Sequence, residues 1–294
     1  MKKGIAFVIP NVDFSDSPLG KVTRSVNEAE LVVRKYEEKI GATGFRIQIE
    51  SFVNSLMGKG LWGKLDGIYL MLGSSFDTMK INLKDVDNLA LEFKENATAN
   101  TNSVSFSNAI AISTPTIASY NLGTNEGRFA FVRASYTKNG INQGNVFAYG
   151  GNGVSYGIGT LMGKSAQVFS LNKNGSSEIA LDTEPVTGYH NIMMVIDTGD
   201  TSTLPIYMYR DGNLVAQGSQ SSAGIKYQTS PYTLLGGNAH NIVASPFSDV
   251  GSEISPNGLL FNGSVNFFAI GKMNIDEAVE FNTLANNLIT AMSK

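Results

Sequence analysis

Ile206-Tyr207-Met208-Tyr209-Arg210-Asp211-Gly212-Asn213-Leu214-Val215 decides the fold class, because two runs of alternating character meet there at Asp-Gly. Both central positions of a two-residue hairpin turn take positive φ. Gly accepts this freely and Asp tolerates it, so the dipeptide predicts an antiparallel hairpin. Just upstream, Tyr189-His190-Asn191-Ile192-Met193-Met194-Val195-Ile196-Asp197 holds a five-residue apolar run closed by the turn-prone Asp197-Thr198-Gly199-Asp200. Three consecutive antiparallel strands are expected.

The same texture extends outward on both sides. Strand candidates are Val104 to Ile112, Phe129 to Tyr136, Asn145 to Tyr149, Val154 to Ile158, Gln167 to Leu171, His190 to Asp197, Ile206 to Arg210, Asn213 to Gln217, Tyr232 to Leu235 and Leu259 to Ile270. Many short strands at fairly regular spacing predict a sandwich or barrel. In Ser264 to Ala269 the alternation predicts Val265, Phe267 and Ala269 facing inward, with Ser264 and Asn266 facing out. The chain closes with a helix: Asn274 and Glu277 supply its cap, and Phe281, Leu284, Ala285, Leu288 and Met292 form its apolar stripe.

Charge density separates the amino-terminal part, with ten Lys/Arg and eight Asp/Glu in residues 1 to 66 against nine and twelve in residues 101 to 294. Ser25 with Glu28 predicts a capping box, followed by a helix with Leu31, Val32, Tyr36 and Ile40 at helical spacing up to Gly41. A second helix from about Thr43 would carry Phe45, Ile49, Phe52, Val53 and Leu56 on one face and end at Gly58 or Gly60. Residues 9 to 24 show neither period. Pro10, Pro18 and Gly20 interrupt the isolated apolar residues Val12, Phe14, Leu19 and Val22, which would lie singly in a partner's grooves; a floppy tail or an edge strand of the sandwich is the alternative. The expected organisation is an attachment arm over 1–24, a helical region over 25–66, and a β-sandwich with a carboxyl-terminal helix over 67–294.

Composition bounds the function. The 294 residues include no cysteine and two histidines, His190 and His240, which removes disulfides, thiolate sites and most His-based metal sites. A net charge of -3 disfavours nucleic-acid binding. The apolar run Ile5 to Ile9 ends at Pro10, short of the ~7–15 residues of a secretory h-region, so no signal peptide is expected. No run approaches the ~18 apolar residues that read as a membrane span.

Between the helical and strand-rich parts lie Gly60-Leu61-Trp62-Gly63-Lys64-Leu65-Asp66-Gly67-Ile68-Tyr69-Leu70-Met71-Leu72-Gly73 and Lys80-Ile81-Asn82-Leu83-Lys84-Asp85. This run resembles a segment of structural proteins of tailed bacteriophages, in which a Gly-Leu-Trp motif ends a helix and a Tyr-Pro-Phe-x-Gly strand follows. An Asn-Leu-Lys-Asp/Asn motif then leads into a laminin-G-like sandwich. Tyr69, Gly73 and Asn82-Leu83-Lys84-Asp85 match, while Leu70-Met71-Leu72 stands where the Pro-Phe pair would be. Ile9-Pro10-Asn11-Val12-Asp13-Phe14-Ser15 with Leu19-Gly20-Lys21-Val22-Thr23 is similar to the leader of virion proteins of crAss-like and Bacteroides-type phages. The resemblance implies a mainly β, jelly-roll or concanavalin/laminin-G-like antiparallel sandwich on a virion fibre of the capsid or tail. It also implies a homodimer or homotrimer anchored to other virion proteins through the arm.

Catalytic patterns find little support in the sequence. Glycoside hydrolysis needs two carboxylates flanking the scissile bond. The laminarinase pattern Glu-x-Asp-x-x-Glu is absent, and Asp276, Glu277 and Glu280 suit the helix dipole instead. His190 opens a strand, His240 lies in a loop, and no Gly-x-Ser-x-Gly elbow accompanies either. Asp197 and Asp200 share a turn and are the calcium candidates, although the turn preference of Asp and Gly is the stronger explanation for them. The glycine-rich run Tyr149 to Gly159 lacks Gly-Lys-Ser/Thr and predicts a hairpin. Tyr149, Tyr156, Tyr207 and Tyr209 are the glycan-stacking candidates, provided they share an exposed face. The expected function is a non-enzymatic, cofactor-free virion protein. A carbohydrate-binding adsorption module is the second expectation, and a glycan-cleaving enzyme the third.

Overall fold

The computed structural model describes residues 27–93, 97–107, 111–113, 128–136, 145–151, 154–160, 166–170, 178–182, 188–197, 203–221, 232–235 and 262–293. The arm positions Pro10, Phe14, Leu19 and Val22 lie outside the described residues, as do Asp200 and His240.

Two helices open the described chain, α1 (Glu28–Ile40) and α2 (Arg46–Gly58). Asn27 caps α1, its side-chain oxygen accepting from the Ala29 N–H at 3.2 Å. Glu28 is therefore the first helical residue, not the third of a Ser25 box. The buried stripe moves with it: Ala29, Val33 and Tyr36 are inside, while Leu31 is 42% exposed. In α2 the expected face is observed, with Ile49, Phe52, Val53 and Leu56 buried. Gly60 takes φ 72° beyond its end, and the Leu61 N–H donates to the Leu56 carbonyl at 2.9 Å. Arg46 reaches Glu37 at 3.7 Å and Glu50 at 2.7 Å, fixing the start of α2 against α1.

The strands and remaining helices follow as β1 (Leu65–Tyr69), α3 (Phe76–Met79), β2 (Leu91–Phe93), β3 (Ala97–Asn100), β4 (Ser103–Ser107), β5 (Ala111–Ser113), β6 (Arg128–Tyr136) and β7 (Asn145–Gly151). After them come β8 (Val154–Thr160), β9 (Ala166–Ser170), β10 (Glu178–Asp182), β11 (Tyr189–Ile196), β12 (Thr203–Arg210), β13 (Asn213–Ser221), β14 (Tyr232–Leu235), β15 (Asn262–Gly271) and α4 (Ile275–Met292). One sheet runs β13-β12-β11-β6-β15-β4-β3, with β1 also paired to β15, and the other runs β10-β9-β8-β7-β14-β5-β2. Pairing is antiparallel in every ladder described. The protein is an antiparallel β-sandwich with a helical layer.

The Asp-Gly hairpin joins β12 to β13 with Asp211 at φ 50° and Gly212 at φ 83°, the positive angles that its sequence requires. The run Val104 to Ile112 is not one strand. It divides into β4, which pairs with β15, and β5, which pairs with β14 in the opposite sheet.

α1, α2 and α4 cover one face of the larger sheet. Phe129 and Phe131 of β6, Met193 and Val195 of β11, and Phe267 and Ala269 of β15 form one core with the helix faces. The alternate residues Ala130, Val132, Ile192 and Met194 are equally buried on the other side. Both faces of β11 are covered, which explains why its apolar run is continuous rather than alternating. The helical region packs on the larger sheet through the first of these two layers.

The apolar stripes of α2 and α4 are consumed inside the chain against this sheet and are not free to join two copies. Strand β15 also departs from simple alternation. A bulge between Val265 and Phe267 sets Val265 opposite Ala134 but Phe267 opposite Arg133. Ala134 and Arg133 are neighbours on β6, so Val265 and Phe267 point to opposite faces and Asn266 is the extra residue.

Candidate functional site

The four tyrosine candidates fall on two sheets. Tyr149 and Tyr156 are direct register partners on β7 and β8, which places those two positions on one face of the smaller sheet. This pairing also makes the glycine-rich run a hairpin. Tyr207 and Tyr209 stand on β12 of the larger sheet, half-buried against the helix-side core. Burial pushes the Tyr209 hydroxyl above its usual range, helped by Tyr207 and Asp276. One face holding all four is therefore not formed.

His190 and Asp197 both have structural partners. His190 Nδ1 meets Asp211 Oδ2 at 2.6 Å, and Asp211 Oδ1 accepts from the Asn191 N–H at 2.9 Å. The hairpin turn is thus tied to the start of β11. Asp197 sits at the N-terminus of α4, with Oδ2 accepting from the Ile275 N–H at 3.4 Å, a position where a carboxylate complements the helix dipole. Among the described residues no group of three or more His, Cys, Asp or Glu is placed to hold a metal ion.

The Asn82-Leu83-Lys84-Asp85 motif forms a latch. Asn82 is fully buried; its Oδ1 accepts from the N–H groups of Ile68 and Lys84, both at 3.0 Å, and its Nδ2 donates to the Asp66 carbonyl at 3.3 Å. The Asn82 side chain, together with the Leu83 N–H donating to the Ile68 carbonyl at 2.8 Å, satisfies this edge of β1. Lys84 crosses the Trp62 ring with its Nζ 4.9 Å from the centroid and donates to the Trp62 carbonyl. Burial pushes the Lys84 ammonium below its usual range, against the pull of Asp66.

Asp66 is the most perturbed carboxyl of this group. Its Oδ2 is shielded and has no hydrogen-bond partner among the described residues. Burial raises its pKa from 3.8 to about 7, and Lys272 and Lys84 offset part of that rise. The unfolded chain ionises Asp66 from about pH 4, whereas the folded carboxyl holds its proton until about 7. Its stabilising contribution is thus complete below pH 4 and lost as pH rises to 7. Asp66→Asn is expected to match the parent near pH 4 and to exceed it at pH 8 by roughly 2 kcal/mol, after discounting for partial solvent contact. Urea unfolding at the two pH values reads this difference. Equal gains at both would contradict it.

A cavity of about 130 Å³ opens between the helical layer and the larger sheet. Phe45 before α2, Leu288, Ile289 and Met292 of α4, and Leu70 and Leu72 after β1 give it apolar walls. Arg133 and Asn266 line it as well. The Arg133 Nη1 donates to Asn191 Oδ1 at 3.2 Å, and its guanidinium lies 5.5 Å from the Tyr189 ring centroid. Asn191 continues the chain of amides to Asn286 on α4. Burial pushes the Arg133 guanidinium below its usual range. Sequence reasoning passed over this residue, although it is the lone charge inside the strand Phe129-Ala130-Phe131-Val132-Arg133-Ala134.

No family model matches the chain, and no curated protein matches it. Among solved structures it is similar to the binding domain of botulinum neurotoxin serotype D/C, with 14% identity and a TM-score of 0.52 over 76% of this chain and 53% of that one. A second is botulinum neurotoxin type C, whose uptake by cells is described as dependent upon interaction with two ganglioside molecules. It has 13% identity and a TM-score of 0.52, over 77% and 53% of the two chains. A third is Trypanosoma rangeli sialidase in complex with 2,3-difluorosialic acid, with 9% identity and a TM-score of 0.52, over 87% and 37%. The chain spans about half the length of the toxin chains that it matches. At these identities the likeness defines a fold, the antiparallel β-sandwich.

Proposed function

We propose that the protein is a non-enzymatic appendage of a tailed-phage virion, on the capsid or tail, whose sandwich adheres to host-surface glycans. In this proposal residues 1–24 join it to other virion proteins through Pro10, Phe14, Leu19 and Val22, and it assembles as a homodimer or homotrimer. The observation that carries the adhesive part is the asymmetry of the sandwich. Helices α1, α2 and α4 share a core with the larger sheet, while Tyr149 and Tyr156 are register partners on the smaller one. A pair of adjacent aromatic positions suits stacking against sugar rings. The ganglioside-dependent toxin of the same fold supports this reading by analogy. The resemblance of the segment around Asn82-Leu83-Lys84-Asp85 to tailed-phage structural proteins supports the virion part.

A glycan array with the purified chain tests the adhesive part. Binding to a subset of glycans is expected, with the Tyr149→Ala/Tyr156→Ala double variant weakened about tenfold or more, on the order of 1.4 kcal/mol, and with the bound glycans intact by mass spectrometry. Absence of binding, binding indifferent to the double substitution, or cleaved glycans would each defeat it.

A further inference from the structure

The strands that end the two sheets are β13, β3, β10 and β2. β3 and β2 run only four and three residues, and β10 runs five with Glu178 and Asp182 at its ends. β13 runs nine residues from Asn213 to Ser221, contains neither a charged residue nor a proline, and among the described residues pairs with β12 alone. β10 comes near it from the other layer without forming a ladder. Short length, charge and proline are what keep a sheet edge from pairing with another chain, and β13 has none of them. The ground beside it is open as well. Leu214, the register partner of Tyr209, is 46% exposed. On α4, Val279 falls between Asp276, whose charge reaches Tyr209, and Asn282, which lies at Gly212, and it is 39% exposed.

The ladder fixes which backbone groups the edge offers. The Pro205 carbonyl accepts from the Asp197 N–H at 2.8 Å, so Pro205, and with it Tyr207 and Thr203, bonds toward β11. Ser219, Gln217 and Ser221 stand opposite these residues on β13. They form the non-bonded pairs of the β12–β13 ladder and turn their N–H and C=O groups to the free edge. We propose that β13 joins the protein to a second copy, the two edges pairing antiparallel across a twofold axis and continuing one larger sheet into the other. The register that uses all of these groups sets Ser219 opposite Ser219 of the second copy, and Gln217 opposite its Ser221. A second copy suits this edge because each outward N–H then meets an outward C=O, as a self-complementary interface requires, and an uncharged strand brings no like charges together. The inference rests on the homo-oligomer part of the proposed function and selects the dimer.

Analytical ultracentrifugation of the full chain tests it, and a dimer is expected. Ser219→Lys sets like charges opposite each other on the axis and should weaken the dimer by about tenfold or more. Gln217→Pro removes an N–H that only the second copy uses and should weaken it similarly, with the far-ultraviolet circular dichroism of the parent retained. The chain has no cysteine, so oxidation of Ser219→Cys should give a covalent dimer. Facing Cα atoms about 5.5 Å apart fall inside the roughly 4.4–6.8 Å span of a disulfide. Asn213→Cys, remote from its own copy in this register, should stay uncross-linked. If a variant loses the native spectrum, the Ser219→Cys cross-link in the folded chain decides. A monomeric parent would overturn the inference together with the homo-oligomer reading. A trimer, a dimer indifferent to Ser219→Lys and Gln217→Pro, or absence of the Ser219→Cys cross-link would overturn the edge pairing alone.

Discussion

Phe281→Ala is expected to lower the unfolding free energy by about 4 kcal/mol, and the thermal midpoint by about 10 °C for a chain of this size. Phe281 is fully buried and is met edge-on by Phe129 at 4.8 Å, Phe131 at 5.6 Å, Phe52 at 6.1 Å and Phe267 at 6.4 Å between ring centroids. Those four rings come from two strands of the larger sheet and from α2, so removing the fifth leaves a hole where three elements meet. Their backbones are fixed by the β6–β15 ladder and by helix hydrogen bonds, which limits collapse into the space. Calorimetry and near-ultraviolet circular dichroism read the change together. A loss below about 1 kcal/mol would mean that the helical layer is held from elsewhere.

Asn82→Ala is expected to cost about 3 kcal/mol by a different route. It removes almost no apolar area, but it strips the partner from the N–H groups of Ile68 and Lys84 and from the Asp66 carbonyl. Each buried, unpaired backbone group carries a penalty of roughly 1–3 kcal/mol, and entry of water relieves part of the total. Hydrogen exchange at the Ile68 amide should accelerate by about a hundredfold. Exchange unchanged from the parent chain would show that β1 does not depend on the latch.

The parts of the fold legible in the sequence are those whose signal is local. Asp211-Gly212 dictates its turn through backbone sterics, and Asn274 with Glu277 forms the capping box at the start of α4 as expected. Less legible was anything decided by what lies across the sheet. Between Val104 and Ile112 periodicity cannot reveal that the chain leaves one sheet for the other. In β15 one inserted residue, Asn266, reverses which face Val265 presents, and nothing in the residue types marks the bulge. The stripes of α2 and α4 show the same spacing whether they meet a second copy or their own sheet, and here they meet their own sheet.

The candidate site divides along the same line. Tyr149 and Tyr156 pair because they flank one hairpin, whereas Tyr207 and Tyr209 lie on a different sheet through long-range pairing that sequence spacing does not encode. Asn82 carried its signal in a motif, although its role as the latch of β1 emerges only when Ile68 and Asp66 are brought beside it. Arg133 was visible as the one cation inside the apolar run Phe129 to Ala134. Its meaning depends on Asn266 and Leu288, more than a hundred residues away in sequence.

Immunogold electron microscopy on purified phage particles, with antibody raised against the sandwich, tests the proposed location of the protein. Regularly placed label on the particle surface is expected, lost when residues 1–24 are deleted from the phage-borne gene. Label confined to the particle-free fraction of the lysed host, with bare particles, would contradict it.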